Sequence, residues 1–253
     1  GCGTTPSPKR SPAEQPIPEF EADESPTLPG PIFTFINHSD DFFDHKKISQ
    51  PGVLRLIEWS KAHGIPIVAA VGIPKKKHGN VNQLYALDQV NYIVRTLNGS
   101  HALKFPEAEI FFYGGGNAGI CLCESVRDTI LGAGGGRNIT IVYVTEAIYD
   151  TRRPRIELTQ PFLLSDLTEN DILKAGLGGG DLWFLKTDIF NDRDGFCGGL
   201  RPRSELSPSN VNLSVYLGGE KVFAQGTGHE FVVTVVISSM DELKEVLQNF
   251  RPH

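Results

Sequence analysis

The sequence predicts a three-layer α/β domain, with helices on both faces of a mostly parallel sheet. From residue 32 onward, short apolar runs alternate with amphipathic stretches, which is the pattern of β-α-β units. The chain has 253 residues, of which 40% are hydrophobic and 21% charged, so it is long enough to bury a substantial core. Many of its 27 glycines stand in clusters, which suggests turns or close backbone approach at several strand ends. We expect residues 32–253 to form a single α/β domain whose C-terminal part contains a β-hairpin.

The first 31 residues are expected to be a disordered tether. They hold eight of the 17 prolines and show almost no apolar periodicity. The start, Gly1-Cys2-Gly3 followed by a Ser/Pro-rich stretch, resembles a mature bacterial lipoprotein, in which a cysteine follows a cleaved signal peptide. The resemblance implies lipidation of Cys2 and a location in the bacterial cell envelope, outside the cytoplasm. An incidental cysteine in a disordered tail is the alternative.

The first half of the domain is predicted to contain four strands separated by three helices. The first helix is marked by Pro51 near its start and by Gly64 as its stop. The third helix follows a glycine-rich strand end. The predicted strands are Ile32–Asn37, Ile65–Gly72, Glu109–Gly114 and Asn138–Thr145, and the predicted helices are Pro51–His63, Val81–Leu97 and Ala118–Leu131.

The pattern weakens after Asp150. A short helix is predicted in the middle of this part, followed by two strands, a hairpin and a terminal helix with a serine N-cap. The ranges are Asp171–Leu177 for the short helix, Leu213–Leu217 and Phe231–Ser238 for the strands, Lys221–Ala224 for the returning arm of the hairpin, and Met240–Phe250 for the terminal helix.

Composition excludes several classes of protein. A net charge of −6 provides no basic footprint for nucleic acid. No run approaches the roughly 20 apolar residues of a membrane-spanning helix, so the only membrane contact expected is through the lipid anchor. The four cysteines are too few and too irregular for a disulfide framework or a zinc ribbon. We therefore expect no metal and no cofactor, while a small-molecule ligand and a homo-oligomer stay open.

A cysteine at a predicted strand-to-helix junction is the main candidate for chemistry. Cys121 is expected in the first turn of the helix that follows the glycine cluster Gly114–Gly116. A helix N-terminus favours the thiolate and so lowers the pKa of a thiol. Glycines before such a cysteine free backbone N–H groups to face an anion or a developing oxyanion. The alternative is a small buried residue at a tight turn.

This junction resembles that of the isochorismatase-like cysteine hydrolases, which include nicotinamidases and N-carbamoylsarcosine amidohydrolases. The family pattern is a strand ending in glycine, a turn of small or polar residues, and a cysteine on the next helix followed by Ser or Thr and by Asp. The residues in register with it are Gly115, Ala118, Cys121, Leu122, Ser125, Val126 and Asp128. The resemblance implies that Cys121 is the nucleophile. It further implies an oxyanion or ligand site formed by Gly115, Gly116, Asn117 and Ala118, with a cis peptide between Gly116 and Asn117.

The first strand departs from the family pattern at the catalytic base. The aspartate of the family falls on Asn37, although the Asp-Phe end of the motif is kept as Asp41-Phe42. An amide cannot accept the proton of the thiol, so the catalytic set is incomplete unless Asp40, Asp41 or His38 reaches the cysteine. No lysine stands in the family context either.

Two functions therefore stay open. The first is a binding or cell-envelope module that keeps the isochorismatase-like scaffold, which the missing base favours. The second is a cysteine-dependent hydrolase of small amides or related C–N compounds that uses Cys121. The run His38–His45 also offers oxygen and imidazole groups of the kind that a metal-dependent hydrolase needs, but we favour a solvated loop there.

Overall fold

A computed structural model describes residues 17–21, 28–36, 43–72, 89–96, 107–115, 122–148 and 206–250. Within these ranges there are nine strands, three α-helices and one short 3-10 helix. The strands are β1 (Glu19–Glu21), β2 (Ile32–Ile36), β3 (Ile67–Gly72), β4 (Tyr92–Thr96), β5 (Ile110–Gly115), β6 (Asn138–Ile148), β7 (Val211–Leu217), β8 (Glu220–Gln225) and β9 (Phe231–Ser238). The helices are α1 (Phe43–Ala62), α2 (Cys123–Ala133), the 3-10 helix Met240–Glu242 and α3 (Leu243–Asn249).

The nine strands form one sheet in the order β1-β4-β3-β2-β5-β6-β9-β7-β8. Every neighbouring pair is parallel except β7 and β8, which form an antiparallel hairpin. The chain first places β3 and β4 on one side of β2 and then returns to place β5 and β6 on the other side. The direction of winding therefore reverses between β2 and β5.

The helices cover opposite faces of the sheet, which confirms the three-layer α/β prediction. On one face, α1 packs against β6 and also against β5, β2 and β3, while α3 packs against β9. On the other face, α2 packs against β6 and, through Tyr113, against β5. Among the described side chains, the fully buried apolar residues of α1 are Val53, Leu56 and Ile57, and those of α2 with its preceding residue are Leu122, Val126 and Ile130. Burying a side chain of this size stabilises the fold by about 1.5–3 kcal/mol, so both faces contribute to the core.

Several predicted elements are confirmed. The strands predicted at Ile32–Asn37, Glu109–Gly114 and Phe231–Ser238 match β2, β5 and β9 to within one residue at each end. The hairpin is confirmed by the pairing of β7 with β8. The serine N-cap of the terminal helix is confirmed as Ser239, which precedes the 3-10 helix and whose N–H donates to the Glu242 carboxylate at 3.5 Å, the geometry of a capping box.

The helix predicted at Val81–Leu97 is wrong over its second half, because Tyr92–Thr96 form strand β4. Ile93 and Val94 are both buried, and a β-branched pair with neighbours on both faces suits a parallel strand. Residues 81–88 lie outside the described ranges. The first helix begins earlier than predicted, since α1 starts at Phe43 and has Pro51 inside it. The helix predicted at Ala118–Leu131 corresponds to α2, Cys123–Ala133, and Ala118 to Cys121 lie outside the described ranges.

Part of the expected tether joins the sheet. Residues 19–21 form β1, which pairs in parallel with β4 at one edge, and the ring of Phe20 lies 5.9 Å from that of Tyr92. Leu28 is buried in the core. The expectation of disorder therefore does not hold for these residues, because their apolar side chains find partners on the edge strand. Cys2 lies outside the described ranges. Among the helices that the structure describes, none has the length and apolarity needed to cross a membrane.

Candidate functional site

The reversal between β2 and β5 creates the candidate site. The last residues of these two strands, Ile36 and Gly115, are register partners at the carboxyl edge of the sheet. The helix that follows β2 packs on one face, and the helix that follows β5 packs on the other. In open α/β sheets a crevice forms where the connections leave in opposite directions, and ligands bind there. In the sequence, Asn37 directly follows Ile36 and Gly116 directly follows Gly115.

Gly115 is the predicted site residue that the structure describes, and it lies at this crevice. It is buried and has a φ of +86°, a conformation that residues other than glycine rarely adopt. The other predicted site residues lie outside the described ranges, and their roles stay predictions. They are Cys2, Asn37, His38, Asp40, Asp41, Gly116, Asn117, Ala118 and Cys121.

The end of β5 is packed so closely that the residue before Gly115 must also be small. A Cβ atom on Gly114 would lie 3.3 Å from the Cβ of Ala147 and 3.3 Å from a ring carbon of Phe33. Beside this point the pairing of β5 with β6 is irregular, because the register shifts between Tyr113 and Gly115. The glycines therefore have a packing role as well as the main-chain role predicted for them.

A buried hydrogen bond ties β5 to α2 just below the crevice. The hydroxyl of Tyr113 is bonded to the hydroxyl of Thr129, and both residues have no exposed surface. Tyr113 lies two residues before Gly115, and Thr129 lies in the second turn of α2. The bond therefore joins the two elements that flank residues 116–121. Sequence reasoning missed this pair, although a tyrosine and a threonine inside otherwise apolar buried faces are the type of signal that indicates an internal hydrogen bond.

Thr34 lies beside this pair. It is the register partner of Tyr113 on β2 and is fully buried, and within the described part of the chain its hydroxyl has no hydrogen-bond partner. Tyr113 and Thr34 therefore lie on the same face of the sheet, and of their two hydroxyls only that of Tyr113 has a described hydrogen bond to α2. A substitution at Thr34 is therefore a control for a substitution at Tyr113.

Glu146, near the end of β6, was also missed by the sequence analysis. Both of its carboxylate oxygens accept the backbone N–H of Met240 at 3.2 Å, and the Thr145 hydroxyl donates to one of them at 3.1 Å. Met240 is the first residue of the 3-10 helix, so the carboxylate satisfies a free N–H group at a helix start. Met240 packs in the core on the α1 face, whereas the start of α2 packs on the opposite face. Glu146 is thus occupied in holding the C-terminal helix against β6.

A cleft of about 300 Å³ lies at the opposite, amino edge of the sheet. Its polar side chains are already engaged. Glu109 forms an ion pair with Arg137 at 3.6 Å, and the Nδ1 atom of His63 bonds to the Trp59 carbonyl at 2.7 Å. The carboxyl edge rather than this cleft is the expected ligand position in a parallel sheet. Within the described ranges, no three His, Cys, Asp or Glu side chains are placed to hold a metal ion.

Comparison with known proteins adds two distant structural neighbours. The chain matches no known family model and no curated protein sequence. YcaC from Pseudomonas aeruginosa, solved with hexane-2,5-diol and covalent acrylamide, is 14% identical with a TM-score of 0.38, over 62% of this chain and 91% of YcaC. The MAR1 ribonuclease from Caenorhabditis elegans is 18% identical with a TM-score of 0.35, over 72% of this chain and 98% of the ribonuclease. The α/β fold class itself rests on the strand order and the two helical layers described above.

Proposed function

We propose that this protein is a small-molecule binding module of the isochorismatase-like type, held to the bacterial cell envelope by a lipid on Cys2. The observation that carries the binding site is the reversal of winding between β2 and β5, with Ile36 and Gly115 paired at its edge. The ligand class is a small neutral amide or a related C–N compound, which follows from the resemblance of the Cys121 segment to the family. The anchor rests on the resemblance of the first residues to a mature lipoprotein.

Binding without hydrolysis is favoured because the family base is replaced. Asn37 follows β2 at the position of the catalytic aspartate, and its amide cannot take the thiol proton. Glu146, a carboxylate at the end of β6, is bonded to the N–H of Met240 on the α1 face. Its engagement at the start of the C-terminal helix supports the proposal that the site lacks a base.

The alternative is a cysteine-dependent hydrolase, and the start of α2 favours it. The residue before α2, Leu122, has helical dihedrals, and among the residues that the structure describes no side chain caps the helix there. Helix-start N–H groups without a side-chain cap favour an anion nearby, such as a thiolate or an oxyanion. In this reaction the Cys121 thiolate attacks the amide carbonyl, the amine leaves with a proton, and water hydrolyses the resulting thioester and regenerates the thiol.

A turnover experiment separates the two functions. Wild-type protein, Cys121→Ala, Asn37→Asp and the control Cys123→Ala are incubated with nicotinamide, acetamide and N-carbamoylglycine, and ammonia release is measured. We expect no release by the wild type above that of Cys121→Ala. We expect measurable release by Asn37→Asp, because it restores the carboxylate. Ligand-observed NMR with the same compounds is expected to show binding by the wild type and by Cys121→Ala.

Two outcomes would contradict the binding proposal. Wild-type turnover that Cys121→Ala abolishes and Cys123→Ala keeps would establish the cysteine hydrolase. Turnover that requires added Mg²⁺ or Mn²⁺ and persists in Cys121→Ala would instead support metal-dependent chemistry at His38–His45.

The anchor is tested independently by partitioning in Triton X-114 of protein taken from its source cells. We expect the wild type in the detergent phase and Cys2→Ser in the aqueous phase, because only an acylated cysteine provides the apolar chain. Wild-type protein in the aqueous phase would refute the anchor and leave the binding site unaffected.

A further inference from the structure

We propose that the cleft at the amino edge of the sheet binds a small organic amine, a molecule with an apolar body and one ammonium group. The cleft lies at the opposite edge from the crevice described above, so this inference goes beyond the proposed function and does not depend on it. Its volume of about 300 Å³ is at the lower end of the range for ligand sites, which limits the ligand to a small molecule.

The floor of the cleft is apolar. It is formed by Ile65, Ile110 and Leu247, each of which has 6% or less of its surface exposed and belongs to the core on the α1 face. These residues come from three places in the fold, namely the connection after α1, the first residue of β5 and the helix α3. Such a floor provides contact area for a hydrocarbon body, while the few polar groups around it determine which ligand binds.

His63 provides a hydrogen-bond acceptor at the rim of the cleft. Its Nδ1 atom lies 2.7 Å from the carbonyl oxygen of Trp59. Because a carbonyl oxygen can only accept, Nδ1 carries the proton of the neutral imidazole, and Nε2 is the acceptor. The ring is stacked on that of Trp59 with the centroids 4.4 Å apart, which holds the imidazole in this orientation.

The main chain of three lining residues offers the ligand no N–H group. Those of Gly64 and Ile65 donate to carbonyl groups in the last turn of α1, at 3.2 and 2.9 Å, and Pro31 has no N–H group. The cleft also lies at the C-terminal end of α1, where the helix dipole favours a positive charge. This part of the rim therefore suits a group that only donates hydrogen bonds.

Glu109 adds a carboxylate to the lining. Its side chain is 39% exposed, and its ion pair with Arg137 has an N–O distance of 3.6 Å, which is longer than a hydrogen bond. The same nitrogen of Arg137 donates to the carbonyl of Ala108 at 3.3 Å. The carboxylate therefore keeps the capacity to accept from a ligand. An ammonium group has three donors and no acceptor, so it matches Glu109 together with Nε2 of His63.

The test is an NMR titration of the ¹⁵N-labelled protein with benzylamine, the neutral benzyl alcohol and the anionic benzoate. It is done at pH 8, because only a neutral imidazole accepts a hydrogen bond. We expect benzylamine to give saturable shifts at the amides of Gly64, Ile65 and Glu109. It should bind at least about tenfold more tightly than the other two probes, because charge-assisted hydrogen bonds are about twice as strong as neutral ones. The amides of Ile36 and Gly115, at the opposite edge, should not shift.

Substitutions of opposite sign test the role of charge. Glu109→Gln keeps the shape of the side chain and should weaken benzylamine binding at least about tenfold, whereas Arg137→Gln removes a competing cation and should tighten it about twofold to threefold. Damage to the fold would not produce tighter binding. His63→Phe keeps a ring on Trp59 without the acceptor and should weaken binding about threefold. Glu245→Gln is the matched control, because it removes an exposed carboxylate from α3 that does not line the cleft, and it should leave the Kd unchanged.

Several results would overturn the inference. Equal affinity for benzylamine and benzyl alcohol would show that the cleft selects only the apolar body. Tighter binding of benzoate that is lost in Arg137→Gln would show that the cleft binds acids instead. The inference also fails if Glu109→Gln leaves the affinity for benzylamine unchanged, or if no saturable shift appears at the cleft. Benzylamine binding at the cleft without amide binding at the carboxyl edge would support this inference and contradict the proposed function.

Discussion

Replacing Gly52 with alanine should detach α1 from the sheet more than any other small change in that helix. A Cβ atom at this position would lie 1.9 Å from the carbonyl oxygen of Glu146, 2.3 Å from its carbonyl carbon and 2.8 Å from the nitrogen of Ala147. All three are backbone atoms of β6 and not the end of a flexible side chain, so they cannot move cheaply. The helix α1 must therefore move away from β6.

The displacement of α1 from β6 can be estimated from the van der Waals contact distance. Ordinary contact begins at 3.4 Å, so the gap between helix and strand must open by about 1.5 Å. A gap of even 0.5–1 Å forfeits about a quarter to a half of each dispersion contact. The fully buried residues Val53, Leu56 and Ile57 all lie on this helix and would lose packing together. Forced overpacking costs about 1–3 kcal/mol, and occasionally more, while alanine regains about 1 kcal/mol of helix propensity. Because the clash is with backbone atoms and three buried side chains lose packing together, the cost lies at or above the top of that range, and we expect a net loss of about 2 kcal/mol or more.

The assay is urea unfolding followed by far-UV circular dichroism, with the free energy of unfolding taken from linear extrapolation. Two controls separate the clash from generic effects. Glu58→Ala changes an exposed residue of the same helix, and Gly219→Ala makes the same substitution where the nearest atom is 4.0 Å away. Each should lie within about 0.5 kcal/mol of wild type. A Gly52→Ala protein as stable as these controls would refute the close approach of α1 to β6.

Three further changes are expected to follow from the same structure. Gly115→Ala should lower the free energy of unfolding by about 1–2 kcal/mol, because the φ of +86° at this position is unfavourable for a residue with a Cβ. If urea unfolding shows no loss of stability, the backbone at the end of β5 relaxes to accept the alanine. Glu146→Ala should lower the free energy of unfolding by about 1–2 kcal/mol and increase hydrogen exchange at the amide of Met240. Glu146→Gln keeps an acceptor oxygen and should lower the stability less. Equal losses of stability in the two variants would contradict the role of the hydrogen bond to the helix start. Thr34→Val should leave the stability measured by thermal unfolding unchanged or raise it slightly, because it removes a buried hydroxyl that has no hydrogen-bond partner among the described residues. A loss of more than about 1 kcal/mol would show that this hydroxyl has a partner.

Much of the fold could be predicted because the strongest signals are local. The apolar runs that form β2, β5, β6 and β9 are each bounded by turn residues, and their spacing by amphipathic stretches indicates parallel pairing. The three-layer class follows from that alternation. Strand order does not follow from it, since the reversal between β2 and β5 depends on which crossover packs on which face.

The failures have identifiable physical causes. The segment around Ile93 and Val94 carries apolar residues at a spacing that suits a helix as well as a strand, and only tertiary pairing with β3 decides for the strand. Residues 19–21 lack a pattern of their own, and they are ordered by pairing with the edge of β4. The helix α1 continues through Pro51, so a residue that usually marks a first turn misplaced its start by eight positions.

The candidate site could be predicted less completely than the fold. The glycine-rich end of β5 was identified from sequence, and Gly115 has the main-chain conformation that favours glycine. The pair Tyr113 and Thr129 and the role of Glu146 could not be assigned, because each depends on residues that come together from separate elements. Periodicity identifies a buried face, but it does not show which two hydroxyls on it meet.

Mapping where a ligand binds is the most direct test of the proposed site at the carboxyl ends of β2 and β5. Backbone amide signals of the ¹⁵N-labelled protein are followed by NMR during titration with nicotinamide, acetamide and N-carbamoylglycine in turn. We expect saturable shifts at Ile36 and Gly115, where the winding of the sheet reverses, and in residues 116–122, which follow β5 in the sequence. Shifts confined to the amino-edge cleft, at His63 and Glu109, or no saturable shift with any of the three compounds, would contradict it.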